Sequence, residues 1–163
     1  MTVIKANHFF KNQDFIGPVI IADRIQTPDN VGSILRLAGN IGAKKVIFTE
    51  NLEINQTKIE KIARNSLQYL EIEILSYKAI AEQYKNIVAI ETSSSATNLY
   101  ETKLEKELAF VVGNEKYGAS EELLNLCQKH VYIPMPGNVK SLNVSHALSI
   151  TLFEWYRQNF ETS

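Results

Sequence analysis

The chain has a single cysteine, no long apolar run and almost no net charge, and each of these absences excludes a class of protein. Cys127 has no second cysteine with which to form an internal disulfide. No apolar stretch approaches the roughly 20 residues of a membrane span, and the first residues lack the apolar run of a signal peptide. We therefore expect a cytoplasmic protein that contacts no membrane. Because the formal net charge is −1, a nucleic-acid partner would need a local basic patch.

Several common ligand-binding motifs are also missing. No G-x-G-x-x-G follows the first apolar run and no G-x-x-x-x-G-K-[ST] occurs anywhere, which argues against Rossmann-type dinucleotide binding and P-loop chemistry. His8, His130 and His146 are dispersed along the chain and have no cysteine partners, so we expect no metal site. No serine has the G-x-S-x-G setting of a hydrolase nucleophile.

Short apolar runs alternate with segments of helical spacing. The runs are rich in Val, Ile and Phe and lack clean alternation, which is typical of strands buried on both faces. They are Val19–Ala22, Val46–Phe48, Ile72–Leu75, Ile87–Ile90, Ala109–Val112 and Val131–Ile133, and helical spacing is found at 30–41, 56–66, 77–85 and 119–128. This pattern predicts an α/β fold, a parallel sheet with helices on both faces. The length of 163 residues suggests one domain over 1–163, in which residues 1–17 form an N-terminal arm.

The last predicted helix, from about Leu142 to Asn159, is apolar around most of its circumference. At 100° per residue, its apolar side chains go most of the way round the helix: Val144, Ala147, Leu148, Ile150, Phe153, Trp155 and Tyr156. Such a helix is buried on more than one side, either in a deep groove of its own fold or against a second subunit. We favour the second subunit and expect a homodimer formed through this helix.

The first candidate site lies in the helix that begins near Asn30. Arg36 projects away from the apolar arc of this helix, which is also the position of an ordinary solvated arginine. Gly32 and Gly39 lie at i−4 and i+3 from it, directly beside it on a helix. Because a glycine inside a helix costs about 1 kcal/mol relative to alanine, the pair suggests that something approaches the backbone closely there.

Two further segments follow predicted strands, where ligands bind in parallel sheets. Gly113-Asn114-Glu115-Lys116-Tyr117-Gly118 follows the Ala109–Val112 run, and Ser141-Leu142-Asn143-Val144-Ser145 follows the Val131–Ile133 run. The second segment opens the last helix, whose first N–H groups and short polar side chains can hold a small polar ligand.

These three segments together resemble the three motifs of the SpoU (TrmH-like) RNA ribose methyltransferases of the SPOUT class. The matching residues are Asn30 to Arg36, Gly113 to Gly118, and Ile133-Pro134-Met135 with Ser141 to Ala147, in the family's order. The likeness runs from about residue 19 to 157, so the chain would be a minimal member. The resemblance implies a deep trefoil knot over about 109–160, an S-adenosylmethionine methyl donor, a homodimer with sites at its interface, and methylation of a ribose 2′-OH in tRNA or rRNA.

The resemblance also implies residue roles. Arg36 would be the catalytic arginine, holding a phosphate and the 2′-oxygen together, while Asn30, Glu115, Ser141 and Asn143 would orient it and the ribose. The methyl donor would be bound by Thr92, Ser93, Ser94, Gly113, Asn114, Ile133, Met135, Ser141, Leu142 and Asn143.

Basic residues outside the motifs suggest where RNA would be held. Lys58, Lys61 and Arg64 share one predicted helix at spacings of three, and Lys140 precedes Ser141; with Arg36 they could bind the RNA backbone. An ordinary solvated helix face explains the same spacing equally well. Two other functions stay open: a SPOUT-class base methyltransferase, which would need a carboxylate general base, and a protein that binds cofactor or RNA without catalysis.

Overall fold

A seven-stranded sheet forms the centre of the molecule, and all its paired strands run parallel. The structure, a computed structural model, describes residues 15–49 and 56–160. The strands are β1 (Val19–Ala22), β2 (Lys45–Phe48), β3 (Ile72–Ile74), β4 (Ile87–Ile90), β5 (Thr97–Asn98), β6 (Ala109–Val112) and β7 (Lys129–Tyr132). Their order across the sheet is β3-β2-β1-β6-β4-β7-β5. The predicted α/β class with a parallel sheet is confirmed.

Helices cover both faces of this sheet. They are α1 (Pro28–Ile41), α2 (Gln56–Ala63), α3 (Tyr77–Gln83), α4 (Glu121–Leu124) and α5 (Val144–Phe160), with 3₁₀ helices at Arg64–Tyr69 and Leu99–Glu101. Alternate side chains of the central strands enter two separate cores. Ile20 and Phe110 pack with residues of α1 and α5, while Ile21 and Val111 pack on the opposite face with residues of α3 and α4.

The sequence prediction is wrong in detail at four places. Ile72 and Ile74 of β3 are exposed rather than buried on both faces, because β3 is an edge strand. β5 is missed because its two residues are polar and form no apolar run. The segment predicted as helix 119–128 contains only the short α4, and the predicted helix 56–66 changes to 3₁₀ geometry at Arg64.

Helix α5 is buried mainly by its own chain. Leu148, Leu152 and Trp155 are fully buried in the core that they share with α1 and the sheet, and the Trp155 indole N–H donates to the Glu105 carbonyl at 2.9 Å. Both residues belong to the core of one chain, so the side of α5 that they occupy needs no second subunit to bury it. Phe153 is different: it is 52% exposed.

Two other expectations concern the chain as a whole. The trefoil knot over 109–160 stays a prediction that the strand order does not test, and most of the predicted arm 1–17 lies outside the described residues. Over 15–49 and 56–160, no helix combines the length and apolar character needed to cross a membrane.

Candidate active site

A cavity of about 470 Å³ opens at the carboxyl ends of β4, β6 and β7. Ligands of parallel α/β sheets bind at this edge, because the loops that leave the strands converge there. Its walls come from the ends of these strands, from the loop after each of them, and from the start of α5. The lining residues are Asn30, Ile90, Glu91, Thr92, Val112, Gly113, Asn114, Glu115, Gly118, Val131, Tyr132, Ile133, Met135, Lys140, Ser141, Leu142, Asn143, Val144 and Ala147.

The start of α1 places Asn30 at this cavity. Thr27 is the N-cap: its hydroxyl accepts a hydrogen bond from the Asn30 N–H at 3.3 Å, and Pro28 begins the helix with a φ suited to it. Asn30 is therefore fixed in the first turn of the helix, and its side chain is buried.

Three polar side chains from the three sequence motifs meet there. The Asn30 amide donates to the Glu115 carboxylate at 2.8 Å, and the Asn143 amide donates to the Asn30 amide oxygen at 2.9 Å. Asn143 in turn accepts hydrogen bonds from the Ser145 N–H and hydroxyl at 2.8 and 2.7 Å, which caps the start of α5. The partners of Asn30 are 85 and 113 residues away in the chain, so the fold itself assembles this cluster.

Glu115 is held in its ionised form. Besides Asn30, its carboxylate accepts hydrogen bonds from the N–H groups of Gln26 and Thr27 and from the Thr27 hydroxyl, at 3.3, 3.1 and 2.9 Å. Partial burial acts to raise the pKa of Glu115, but the hydrogen bonds from Asn30 and Thr27 outweigh it and hold the pKa below its ordinary value. A carboxylate with these partners organises the start of α1 and is a poor proton acceptor.

The loop that carries Glu115 is a tight, hydrogen-bonded turn. The Asn114 side chain is buried; its amide donates to the Arg24 carbonyl at 2.7 Å, and its oxygen accepts from the N–H groups of Lys116 and Tyr117 at 3.0 and 3.1 Å. Gly118 closes the turn with a bond to the Asn114 carbonyl at 2.9 Å and a φ of 71°, which favours glycine.

Asp23, which the sequence analysis did not single out, anchors the far end of this loop. It is fully buried at the end of β1 and accepts hydrogen bonds from the Ser120 N–H, the Thr49 hydroxyl and the Tyr77 hydroxyl at 2.7, 2.7 and 2.8 Å. Burial acts to raise the pKa of Asp23, but these hydrogen bonds hold it below the ordinary value. A charged residue directly after a buried strand was the signal available in the sequence.

The structure places most of the predicted donor-binding residues on the cavity wall. Thr92, Gly113, Asn114, Ile133, Met135, Ser141, Leu142 and Asn143 all line it. Of the described residues, Ser93 and Ser94 do not. Glu91, not predicted as a site residue, lines the cavity as well, and one of its oxygens accepts a hydrogen bond from the Thr92 N–H at 2.9 Å.

Arg36 is not brought to the cavity within one chain. Its side chain is exposed on α1, and it is absent from the described residues that line the cavity. The glycines beside it have a structural cause: a Cβ on Gly32 would lie 2.6 Å from the Ile62 Cβ, and one on Gly39 would lie 2.6 Å from the Ser66 hydroxyl. The close approach inferred from the sequence is therefore that of α2 and the following 3₁₀ helix, and the glycines give no evidence of a ligand at Arg36.

Of the predicted RNA-binding lysines and arginines, the structure places only Lys140 at the cavity among the residues it describes. Lys61 is exposed on α2, and the side chains of Lys58 and Arg64 lie outside what the structure describes. Lys140 lies instead at the cavity, where its ammonium donates to the Met135 carbonyl at 2.7 Å. Across the described part of the chain, no three His, Cys, Asp or Glu side chains form a group that could hold a metal ion.

Known proteins resemble this chain in both sequence and fold. Residues 17–153 match the SpoU rRNA methylase family. A Staphylococcus epidermidis protein named as a TrmH family tRNA/rRNA methyltransferase is 30% identical over 148 residues, which cover 88% of this chain and 59% of that protein. The chain thus spans about three-fifths of the length of this relative.

Solved structures show the same likeness. The crystal structure of the A. aeolicus TrmH/SpoU tRNA modifying enzyme superimposes with a TM-score of 0.76 at 30% identity, covering 86% of this chain and 74% of that one. An RNA 2′-O ribose methyltransferase superimposes with a TM-score of 0.79 at 25% identity, covering 99% of this chain and 63% of that one. The family match extends from before β1 into α5 and so includes all three segments of the site. The chain belongs to the SpoU rRNA methylase family.

Proposed function

We propose that this protein is an S-adenosylmethionine-dependent methyltransferase that modifies a ribose 2′-OH of tRNA or rRNA. The observation that carries the proposal is the hydrogen-bonded cluster of Asn30, Glu115 and Asn143 at the rim of the cavity. Family membership and the RNA-modifying relatives support the substrate class.

The cavity suits the methyl donor in size and chemistry. Its volume of about 470 Å³ is in the range of small-molecule sites, roughly 300 to 1,000 Å³. Val131, Ile133 and Leu142 provide apolar wall, and the Glu91 carboxylate provides negative charge and acceptors for a cationic, hydroxyl-bearing ligand. S-adenosylmethionine, when bound, supplies a methyl group on a sulfonium cation.

The cluster at the rim fixes the geometry of the reacting groups. Glu115 holds the start of α1 against its own loop, and Asn30 connects that loop to the start of α5 through Asn143. The Ser141 hydroxyl lines the cavity and would orient the ribose or an adjacent phosphate. Because the cluster is made before substrate arrives, little reorganisation is needed at the moment of reaction.

Arg36 would bind the phosphate next to the target ribose and stabilise the negative charge that develops on the 2′-oxygen. A guanidinium stays protonated throughout the physiological range, so the 2′-OH proton leaves to phosphate or water. Since Arg36 lies off the cavity of its own chain, we propose that a second copy completes the site, with Arg36 of one copy beside the cavity of the other.

The homodimer forms through α5. Phe153 is 52% exposed on this helix, and with Phe15, Ile41 and Tyr156 it lines an apolar cavity of about 330 Å³. Phe153→Asp should yield monomers by light scattering that remain folded by circular dichroism, because Phe153 is outside the core. Leu148→Ala is the comparison variant on the same helix, and it should lower the free energy of unfolding by about 2–5 kcal/mol because it truncates a core side chain. A Phe153→Asp protein that elutes as a dimer would contradict this interface.

The proposed role of Arg36 is tested by Arg36→Ala, with Lys44→Ala as a matched loss of an exposed cation. Arg36→Ala should abolish methyl transfer to RNA and leave donor affinity nearly unchanged by calorimetry, whereas Lys44→Ala should keep its activity. Full activity of Arg36→Ala would remove Arg36 from the mechanism. Nucleoside mass spectrometry of RNA from a deletion strain should show the loss of one 2′-O-methyl nucleoside, and the loss of a methylated base instead would favour a base methyltransferase.

A further inference from the structure

Tyr117 is an exposed aromatic side chain on the hydrogen-bonded turn that follows β6. It is 69% exposed and lies between Asn114 and Gly118, which pair with each other across the turn and, with Glu115, line the cavity. Building on the function proposed above, we infer that the target nucleotide is unpaired and that its base stacks on the Tyr117 ring. This inference extends the proposed function by naming the class of RNA site and the residue that selects it.

The turn presents the ring in a fixed place. The N–H groups of Lys116 and Tyr117 both donate to the Asn114 side chain, and Asn114 is itself held by the Arg24 carbonyl at 2.7 Å. Since this backbone is ordered before any ligand binds, stacking on the ring costs little further conformational entropy. An aromatic ring on a mobile loop would lack this advantage.

The charge around the ring suits a nucleotide. The Lys116 ammonium lies 4.9 Å from the centre of the Tyr117 ring, over one of its faces, so the base would take the opposite face. Lys140 lies on the cavity wall, and both lysines can pair with phosphates beside the stacked base. Exposed aromatic rings combined with lysines are the usual means of holding single-stranded nucleic acid.

The position of the ring explains why the nucleotide must be unpaired. Tyr117 is two residues from Glu115, which is bonded to Asn30 at the cavity rim, so a base on Tyr117 has its ribose near the reacting groups. A ring can stack only on a base whose face is free, and in RNA such bases occur in loops, bulges and ends. A base within a duplex could not reach Tyr117 without leaving its stack.

The test measures stacking directly and does not depend on methyl transfer. The full chain is titrated with a short single-stranded RNA that carries one 2-aminopurine, whose fluorescence is quenched when the base stacks on an aromatic ring. Quenching should occur with the native chain and with Tyr117→Phe, and it should be lost with Tyr117→Ala and Tyr117→Leu. The dissociation constant of the last two should rise by on the order of tenfold. The same RNA in a duplex should show no quenching.

Tyr69→Ala is the matched control, because Tyr69 is 76% exposed but ends the 3₁₀ helix Arg64–Tyr69, outside the turn that carries Tyr117; it should behave as the native chain. Quenching and affinity unchanged in Tyr117→Ala would overturn the inference. So would a Tyr117→Ala protein that loses self-association but still binds and quenches, because Tyr117 would then be a contact between copies. If the native chain shows quenching that depends on Tyr117 but methylates no RNA, the proposed function is contradicted and the stacking inference is not.

Discussion

Asn30→Asp is the most direct perturbation of the cluster, because it changes one amide to a carboxylate of the same shape. The native amide donates to Glu115 at 2.8 Å. In the variant this donor is lost and two carboxylate oxygens face each other across that distance. The Asn143 amide can still donate to residue 30, so the effect is confined to the contact with Glu115.

The size of the effect has an upper limit set by proton uptake. Two ionised carboxylates this close repel each other, and the pair relieves the repulsion by binding one proton. At pH 7 that protonation costs about 3.5 kcal/mol for an ordinary glutamate, and at pH 5 it costs about 1 kcal/mol. Because Glu115 is solvent-exposed, screening reduces the repulsion, and we expect a loss of about 2 kcal/mol at pH 7.

The loss of stability in Asn30→Asp should depend on pH. The shared proton raises a folded-state pKa above its unfolded value, so the deficit of the variant relative to the native chain grows as the pH rises through that folded pKa and shrinks as the pH falls towards 5. Urea denaturation of both proteins at pH 5 and pH 7 measures this difference. The double variant Asn30→Asp with Glu115→Gln, which has a single carboxylate again, should recover part of the loss at pH 7. Equal stability of Asn30→Asp and the native chain at both pH values would refute the reasoning.

Two further predictions concern packing and acid stability. Gly32→Ala should lower the melting temperature, because its Cβ would lie 2.6 Å from the Ile62 Cβ and the overpacking cost of about 1–3 kcal/mol exceeds the helix-propensity gain of about 1 kcal/mol. The control is Asn40→Ala, which is exposed on the same helix and should not lower the melting temperature. A Gly32→Ala protein more stable than the native chain would show that α2 does not pack there. For Asp23, whose folded pKa is depressed, the stability that it contributes is present above its unfolded pKa near 4 and is lost as the pH falls further. Asp23→Asn should therefore lower the free energy of unfolding by about 1–3 kcal/mol at pH 7. Measured by urea denaturation, the stability of the variant should also fall less steeply below pH 4 than that of the native chain. An equally steep fall in both proteins would contradict this.

The sequence predicted the parts of the fold that depend on local composition. The runs that became β1, β4 and β6 are apolar without interruption, and such runs belong to strands with both faces covered. The edge strand β3 differs in that Glu73 interrupts its two isoleucines, and both isoleucines are exposed. Its exposure depends on how many neighbours it has in the sheet, which local composition does not encode.

The same distinction applies to the site. The segments holding Asn30, Glu115 and Asn143 could be found from their sequence, but their bonds to one another span 85 and 113 residues, and only the topology brings them together. The glycines beside Arg36 show the converse error. They suggested a ligand, yet on a helix a missing side chain equally indicates a packed neighbour, and here the neighbour is α2.

The low net charge of the chain would limit how it holds the proposed RNA substrate. With a formal charge of −1, the overall field attracts no phosphate, so affinity must come from a few local contacts. Glu115 adds negative charge at the rim, so a phosphate of the proposed substrate would lie towards Lys116 and Lys140 and away from the start of α1. Stacking on Tyr117 does not depend on charge, and it would supply binding free energy that salt does not screen. A weakly charged member of this family therefore gains more from one rigid aromatic ring at the site than a strongly basic one would.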